Sequence, residues 1–400
     1  MKYKFSDRVL NVNPSFTLQM ATRAAEMRAK GIPVVNFGVG EPDFNTPAHI
    51  RNAGKKAMDD GFTKYTAGPG MIELREAIIQ KLKRENGLDF NLDQILVSNG
   101  EKQSLYNVCQ ALFQEGDEVI NFSPYWVSFP EMVKLASANP IIVKTDSKQN
   151  FEPDFADLES KITPNIKGII MNSPSNPTGG VWREEAIVKL LKLAKQHNWI
   201  IISDECYERL VFEESFVSIE KINQNHQIGA EVLTCMSLSK TYAMTGWRIG
   251  YTAGDKALTK AMAKIQGQAT SCANSIGQKA AIEALTGDQS CVDEMRGNYK
   301  ARRDVMVSLL NNLPGVECEN PGGAFYAFPD FSFYLGKKAD GKILEDSFDI
   351  SEYILGSAKV VTIPGDGFGA PGYVRFSFAT SIEIIQDGLE KVKSALEQIV

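Results

Sequence analysis

The sequence predicts an α/β protein: a large domain built on a mostly parallel, seven-stranded sheet, followed by a smaller α/β domain. Three observations predict it. From Asn91 onward, short apolar runs alternate with amphipathic stretches, the pattern of strand–helix–strand units. Runs such as Trp199-Ile200-Ile201-Ile202 are apolar at every position, as strands covered on both faces must be. The chain has 400 residues, and its alternation changes after about residue 290, so one ordinary core does not account for it. The expected division is an N-terminal arm over 1–45 that packs with the small domain, a large domain over 46–300 and a small domain over 301–400.

The elements follow in order. A helix is expected over 72–86, where Leu74, Ala77, Ile78 and Leu82 share a face and Gly87 stops it. The seven strands are 95–98, 118–122, 141–144, 168–172, 200–203, 232–236 and 249–253. A long helix over 291–312 leads to the run Gly322-Gly323-Ala324-Phe325-Tyr326. A strand at 373–378 precedes a last helix, whose face carries Ile385, Leu389, Val392, Leu396 and Ile399. Thr380 and Glu383 have the spacing of a capping box at its start.

Composition excludes several functions. Net charge is −6, from 43 basic and 49 acidic residues, which argues against nucleic acid or an anionic membrane as the main partner. No run reaches the roughly 18 apolar residues of a membrane span. The N-terminus is charged and lacks the apolar segment of a signal peptide, so a cytosolic protein is expected. The six cysteines form no C-x-x-C pair and read as reduced and buried. Three scattered histidines make a zinc site or a Ser-His-Asp triad improbable.

Four polar clusters stand at strand ends, where open parallel sheets bind ligands. Ser98 to Gln103 follows a strand and opens a helix, whose N-terminal N–H groups suit a phosphate or simply make a turn. Asn172 to Gly180 is dense in turn residues, and its Asn-Pro bond is a candidate for the cis form. Asp204 ends a buried run, so its carboxylate needs a cation or several donors. Lys240 follows a strand among small hydroxyl residues, where a lowered pKa makes lysine a nucleophile. Arg248, eight residues on, offers a fork to a phosphate.

The segment Ser237-Leu238-Ser239-Lys240-Thr241-Tyr242-Ala243-Met244-Thr245-Gly246-Trp247-Arg248 resembles the lysine motif of class I aminotransferases, which are pyridoxal-phosphate (PLP) enzymes of fold type I. The bacterial aspartate aminotransferase subgroup is the nearest match. Gly40-Glu41-Pro42-Asp43-Phe44, Lys64-Tyr65-Thr66, Gly100-Glu101-Lys102-Gln103, Ser123-Pro124-Tyr125-Trp126, Asn172 to Gly180, Ser203-Asp204-Glu205 and Arg375-Phe376-Ser377 match in the same order. The resemblance spans nearly the whole chain.

It implies that Lys240 bonds to PLP and acts as the base, that Asp204 pairs with the ring nitrogen, and that Tyr207 and Asn176 bond the ring's 3′-oxygen. Trp126 would stack on the ring. The phosphate would lie on the backbone of Gly100, Glu101 and Lys102, with Ser237 and Arg248. Tyr65 would reach it from a neighbouring subunit, which implies a homodimer with shared sites. Arg375, with Gly40 and Asn176, would hold the substrate α-carboxylate. Lys102 and Ser15 would serve a second carboxylate, hence aspartate or glutamate with 2-oxoglutarate. Prephenate and aromatic amino acids suit the same lysine.

Glu101 departs from expectation, because a carboxylate is unhelpful beside a phosphate. Its side chain is expected to point away, leaving only its N–H in the site. Gly367-Phe368-Gly369-Ala370-Pro371-Gly372 matches G-x-G-x-x-G by letter but precedes a strand and contains proline, so it is no dinucleotide fingerprint. Three rival readings are a carbon–sulfur β-lyase on the same fold, a nucleotide-binding dehydrogenase and a catalytically dead binding or regulatory protein, the last opposed by Lys240, Asp204, Arg248 and Arg375 occurring together.

Overall fold

The computed structural model describes residues 3–14, 16–213 and 215–399. At its centre is an eight-stranded sheet. In chain order the strands are β1 (Ile95–Ser98), β2 (Glu118–Ser123), β3 (Asn139–Asp146), β4 (Glu152–Pro153), β5 (Ile166–Asn172), β6 (Ile200–Asp204), β7 (Glu231–Ser237) and β8 (Gly250–Ala253). Across the sheet the order is β1-β8-β7-β6-β5-β2-β3-β4. Strands β7, β6, β5, β2 and β3 run parallel. Strand β8 lies antiparallel between β1 and β7, and β4 lies antiparallel on β3. Seven strands are those the sequence predicts. The eighth, β4, is a two-residue edge strand containing Pro153, too short for a periodic signal and tolerated only at an edge.

The apolar runs divide by alternation. Ile169, Met171 and Ile201 pack on one face with Leu190 and Trp199. Ile170, Ile202 and Leu233 pack on the other with Leu105 and Met262. Each such side chain contributes about 1.5–3 kcal/mol on burial, and both faces are covered, so the register is firmly set.

A second core follows in sequence. Strands β9 (Tyr326–Ala327), β10 (Ile363–Pro364) and β11 (Val374–Ser377) form a sheet in the order β9-β11-β10. Phe325, Phe331, Phe376 and Phe378 pack there with Ile385 and Leu389 of the last helix. The helix Phe16–Ala29 buries Met20 and Ala24 against Val361, Ile363 and Phe368. Val35–Asn36 pairs with Val360–Val361.

Three expectations are corrected. The helix from Ile72 is α-helical to Lys81, then widens to a π turn over Leu82–Asn86 before Gly87 ends it at φ 65°. The last helix starts at Ile382, so its cap is Ser381, whose hydroxyl accepts from the Ile384 N–H at 3.4 Å, rather than Thr380. The six cysteines are free thiols, but Cys272 and Cys291 are part-exposed rather than buried. Among the described residues, no helix is long and apolar enough to cross a membrane.

Candidate active site

The sheet register brings the polar strand ends together. Asn172 lies opposite Asp204, Asp204 opposite Cys235, and Gly250 opposite both Ser237 and Ser98. Because β8 runs antiparallel, its first residue stands at the same edge as the last residues of its neighbours. Arg248 thereby arrives beside the end of β1.

A cavity of about 640 Å³ opens at this edge. Gly40, Glu101, Lys102, Trp126, Asn176, Asp204, Tyr207, Ser237, Lys240, Arg248 and Arg375 all line it. Gly100 stands directly behind, where a Cβ would meet the Arg248 guanidinium at 2.4 Å. Tyr65 does not join them; its side chain is 90% exposed. Ser15 lies outside the described residues.

Helix α1 (Glu101–Leu112) starts at Gly100, which takes φ 79°, and no side chain caps it. Two cations stand beside this bare N-terminus. Arg248 donates to the backbone carbonyls of Thr245 at 2.9 Å and Asn99 at 3.5 Å. Lys102 Nζ sits 4.9 Å from the Trp126 ring centre. Burial, and then the Arg248 charge, lower its pKa. The arrangement favours an anion.

Lys240 lies on the short helix α2 (Leu238–Thr241), capped by Ser237, whose hydroxyl accepts from the Ser239 N–H at 3.1 Å. Lys240 Nζ donates to the Gly40 carbonyl. Burial lowers its pKa; Arg375 acts in the same direction, while Cys206, Glu41 and Glu101 oppose. An amine so placed is more often unprotonated and therefore available as a nucleophile or proton acceptor.

Asp204 is 4% exposed. Its Oδ1 accepts from the Cys206 N–H at 3.2 Å, and its carbonyl accepts from Asn172 Nδ2 at 3.0 Å. Burial raises its pKa. Glu101 corrects an expectation: its side chain does not point away but turns into the cavity towards Asp204 and Cys206. The start of this helix lies close over Gly250, where a Cβ would be 2.2 Å from the Glu101 nitrogen.

Arg375 is 2% exposed. Nη1 donates to Asn176 Oδ1 at 2.8 Å, Nη2 donates to the Gly38 carbonyl at 2.9 Å, and Nε has no partner. Its guanidinium lies over the Tyr326 and Phe368 rings. It forms no ion pair among the described residues, and burial lowers its pKa. A buried cation without an anion is costly unless a ligand supplies one.

Two cavity groups went unnoticed in the sequence. Tyr326, whose hydroxyl lies 3.0 Å from that of Tyr207, reads as core because it ends an apolar run; burial pushes it up to about 12. The Gly38 carbonyl carries no sequence signal. Asn176–Pro177 is cis, as are Ser123–Pro124 and Ser173–Pro174.

Residues 32–392 match the family model of aminotransferase class I and II. The chain belongs to that aminotransferase family. It is 40% identical over 402 aligned positions, covering all of both chains, to a probable aspartate/prephenate aminotransferase of Aquifex aeolicus. The crystal structure of an aspartate aminotransferase from Rhizobium meliloti superposes with a TM-score of 0.94 at 38% identity, covering 100% of both chains. One from Thermus thermophilus, solved with maleate, gives 0.91 at 39% identity over 98% of this chain and 100% of that one. This aminotransferase therefore has the α/β fold of those enzymes, and the dehydrogenase reading falls. The matched span includes every cavity residue named from Gly38 to Arg375.

Proposed function

We propose that this aminotransferase moves the amino group of L-aspartate, or a related acidic amino acid, to 2-oxoglutarate, with PLP as cofactor. One observation carries the reading. The Arg375 guanidinium, buried and without an ion pair, lines the same cavity as the low-pKa amine of Lys240. A substrate α-carboxylate supplies the missing anion and brings its Cα towards Lys240. The maleate of the Thermus relative is a dicarboxylate, which supports acidic substrates.

The residues fit PLP. The uncapped start of α1, Arg248 and Ser237 suit its phosphate, and a Cβ at Gly100 would fill the space the guanidinium needs. When bound, PLP supplies an electron sink for the substrate's Cα–H bond. Lys240 Nζ would be its attachment point and, once the substrate amine has replaced it there, the base for the Cα proton. Asp204 would accept from the ring nitrogen and keep it protonated. Tyr207 and Asn176 would hold the ring's 3′-oxygen, and Trp126 would cover one ring face. Gly40 and Asn176 flank Arg375 at the α-carboxylate, while Lys102 and Ser15 serve the distal carboxylate. Prephenate is a second acceptor, favoured by the naming of the Aquifex relative and by its own two carboxylates.

The exposed Tyr65 supports a homodimer in which it reaches the phosphate of the other subunit's site. The arm over 1–45 packs with the domain over 301–400, a reading supported by the pairing of Val35–Asn36 with Val360–Val361, and closure of that small domain on substrate excludes water. Six free thiols suit the cytosol.

The test loads the protein with PLP, fixes it by borohydride reduction and maps the modified peptide, then compares kcat/KM across amino acids. Modification at Lys240 and a preference for aspartate or glutamate are expected. Modification elsewhere, or pyruvate and ammonia released without a 2-oxo acid, would overturn the proposal.

A further inference from the structure

The Glu101 carboxyl is unused by the reaction outlined above, yet it occupies the site. It is 7% exposed, and its Oε1 has no hydrogen-bond partner. One oxygen each of Glu101 and Asp204 and the Cys206 sulfur lie within 4.8 Å of one another. An oxygen of one carboxyl therefore lies no more than 4.8 Å from an oxygen of the other. Two buried carboxylates that close cannot both stay ionised, so the pair retains a proton.

The surroundings decide which group holds it. Facing Glu101 are Asp204 and Glu205 at the end of β6, then Cys206, Cys235 from β7 and Lys240 from α2. Burial and the two acids all push the Glu101 pKa well up; Lys240 alone opposes. Asp204 accepts the Cys206 N–H at 3.2 Å, a donor that favours its charge, whereas Glu101 has no such donor. Burial also keeps the Cys206 thiol protonated, which disfavours a metal ion in this cluster.

We propose that Glu101 is a positioning residue that keeps its proton and donates it in a hydrogen bond to Asp204, so that the acid facing the cofactor's ring nitrogen is a carboxyl dyad. This rests on the PLP reading. The dyad gives Asp204 a second donor, so Asp204 stays ionised and fixed in a dry site, where a lone carboxylate would tend to take up a proton and lose its grip on the ring N–H.

The test uses Glu101→Gln, which keeps a donor but cannot titrate, and Glu101→Leu, which keeps the bulk alone. Infrared difference spectra of the cofactor-free protein at pH 7 should show one protonated carboxyl more in wild type than in Glu101→Gln. With PLP loaded, kcat for aspartate should fall by about ten- to a hundredfold in Glu101→Leu and recover in Glu101→Gln, with KM little changed. The pH titration of the cofactor absorption band should shift in Glu101→Leu alone. No carboxyl difference at pH 7 would overturn the dyad, as would a Glu101→Leu enzyme with wild-type kcat and titration. If Glu101→Leu fails to fold, the infrared comparison with Glu101→Gln decides. A protein that shows the carboxyl difference but takes up no PLP would sink the cofactor reading and leave the dyad standing.

Discussion

In the proposed reaction, Arg375 sets the energetics of substrate recognition. Its charge is buried, Nε is unpartnered, and an amide oxygen and a carbonyl oxygen are all it holds. Replacing it by leucine should lower kcat/KM for every amino acid by about 2–5 kcal/mol in transition-state terms. Steady-state kinetics across acidic and neutral amino acids checks this; a loss confined to acidic substrates would move the α-carboxylate site elsewhere. Glu205 shapes stability instead. Its Oε1 accepts from Ser203, Ser218 and the Ile219 N–H, but burial outweighs these bonds and pushes it to about 8. A carboxyl with its pKa raised by folding contributes stability that is present below the unfolded value and lost as pH rises through about 8. Its share of the slope is at most about 1.4 kcal/mol per pH unit. Glu205→Gln should therefore flatten the fall in Tm between pH 5 and 8, as read by calorimetry; an unchanged slope would contradict the assignment.

The decisive contact between elements is the start of α1 against the start of β8. Gly250 leaves no room there for a side chain. Gly250→Ala should push α1 off the sheet, costing about 1–3 kcal/mol of stability and weakening PLP binding more than substrate binding. Urea unfolding and PLP titration measure the two effects, and wild-type values in both would refute the close approach. At this scale the sequence is most legible. Apolar runs exposed seven strands, because burial keeps polar residues such as Asn121, Lys144 and Thr234 too few to hide them. Strand β4 left no trace, since two residues carry no period. The Ser381 cap was misread by one residue because Thr380 offers the same chemistry beside it. The direction of the Glu101 side chain was illegible, because the cavity it enters is assembled from residues distant in the chain. Tyr326 was hidden for a similar reason: only the fold shows that an apolar run ends in a cavity.

For the whole molecule, the proposed homodimer with shared sites would make assembly and activity inseparable. Mixing inactive Lys240→Ala with Tyr65→Ala protein should restore activity, because a hybrid dimer carries one site with both groups intact. Activity of the mixture that merely sums the two variants would mean that each subunit is self-sufficient. The central claim is that Lys240 drives amino transfer from an acidic amino acid. The most direct test supplies the PLP-loaded protein with aspartate and 2-oxoglutarate and follows oxaloacetate. Rapid oxaloacetate formation by wild type, absent in Lys240→Ala, is the predicted result. No oxaloacetate from a wild-type protein that has taken up PLP, or equal formation by both proteins, would contradict it.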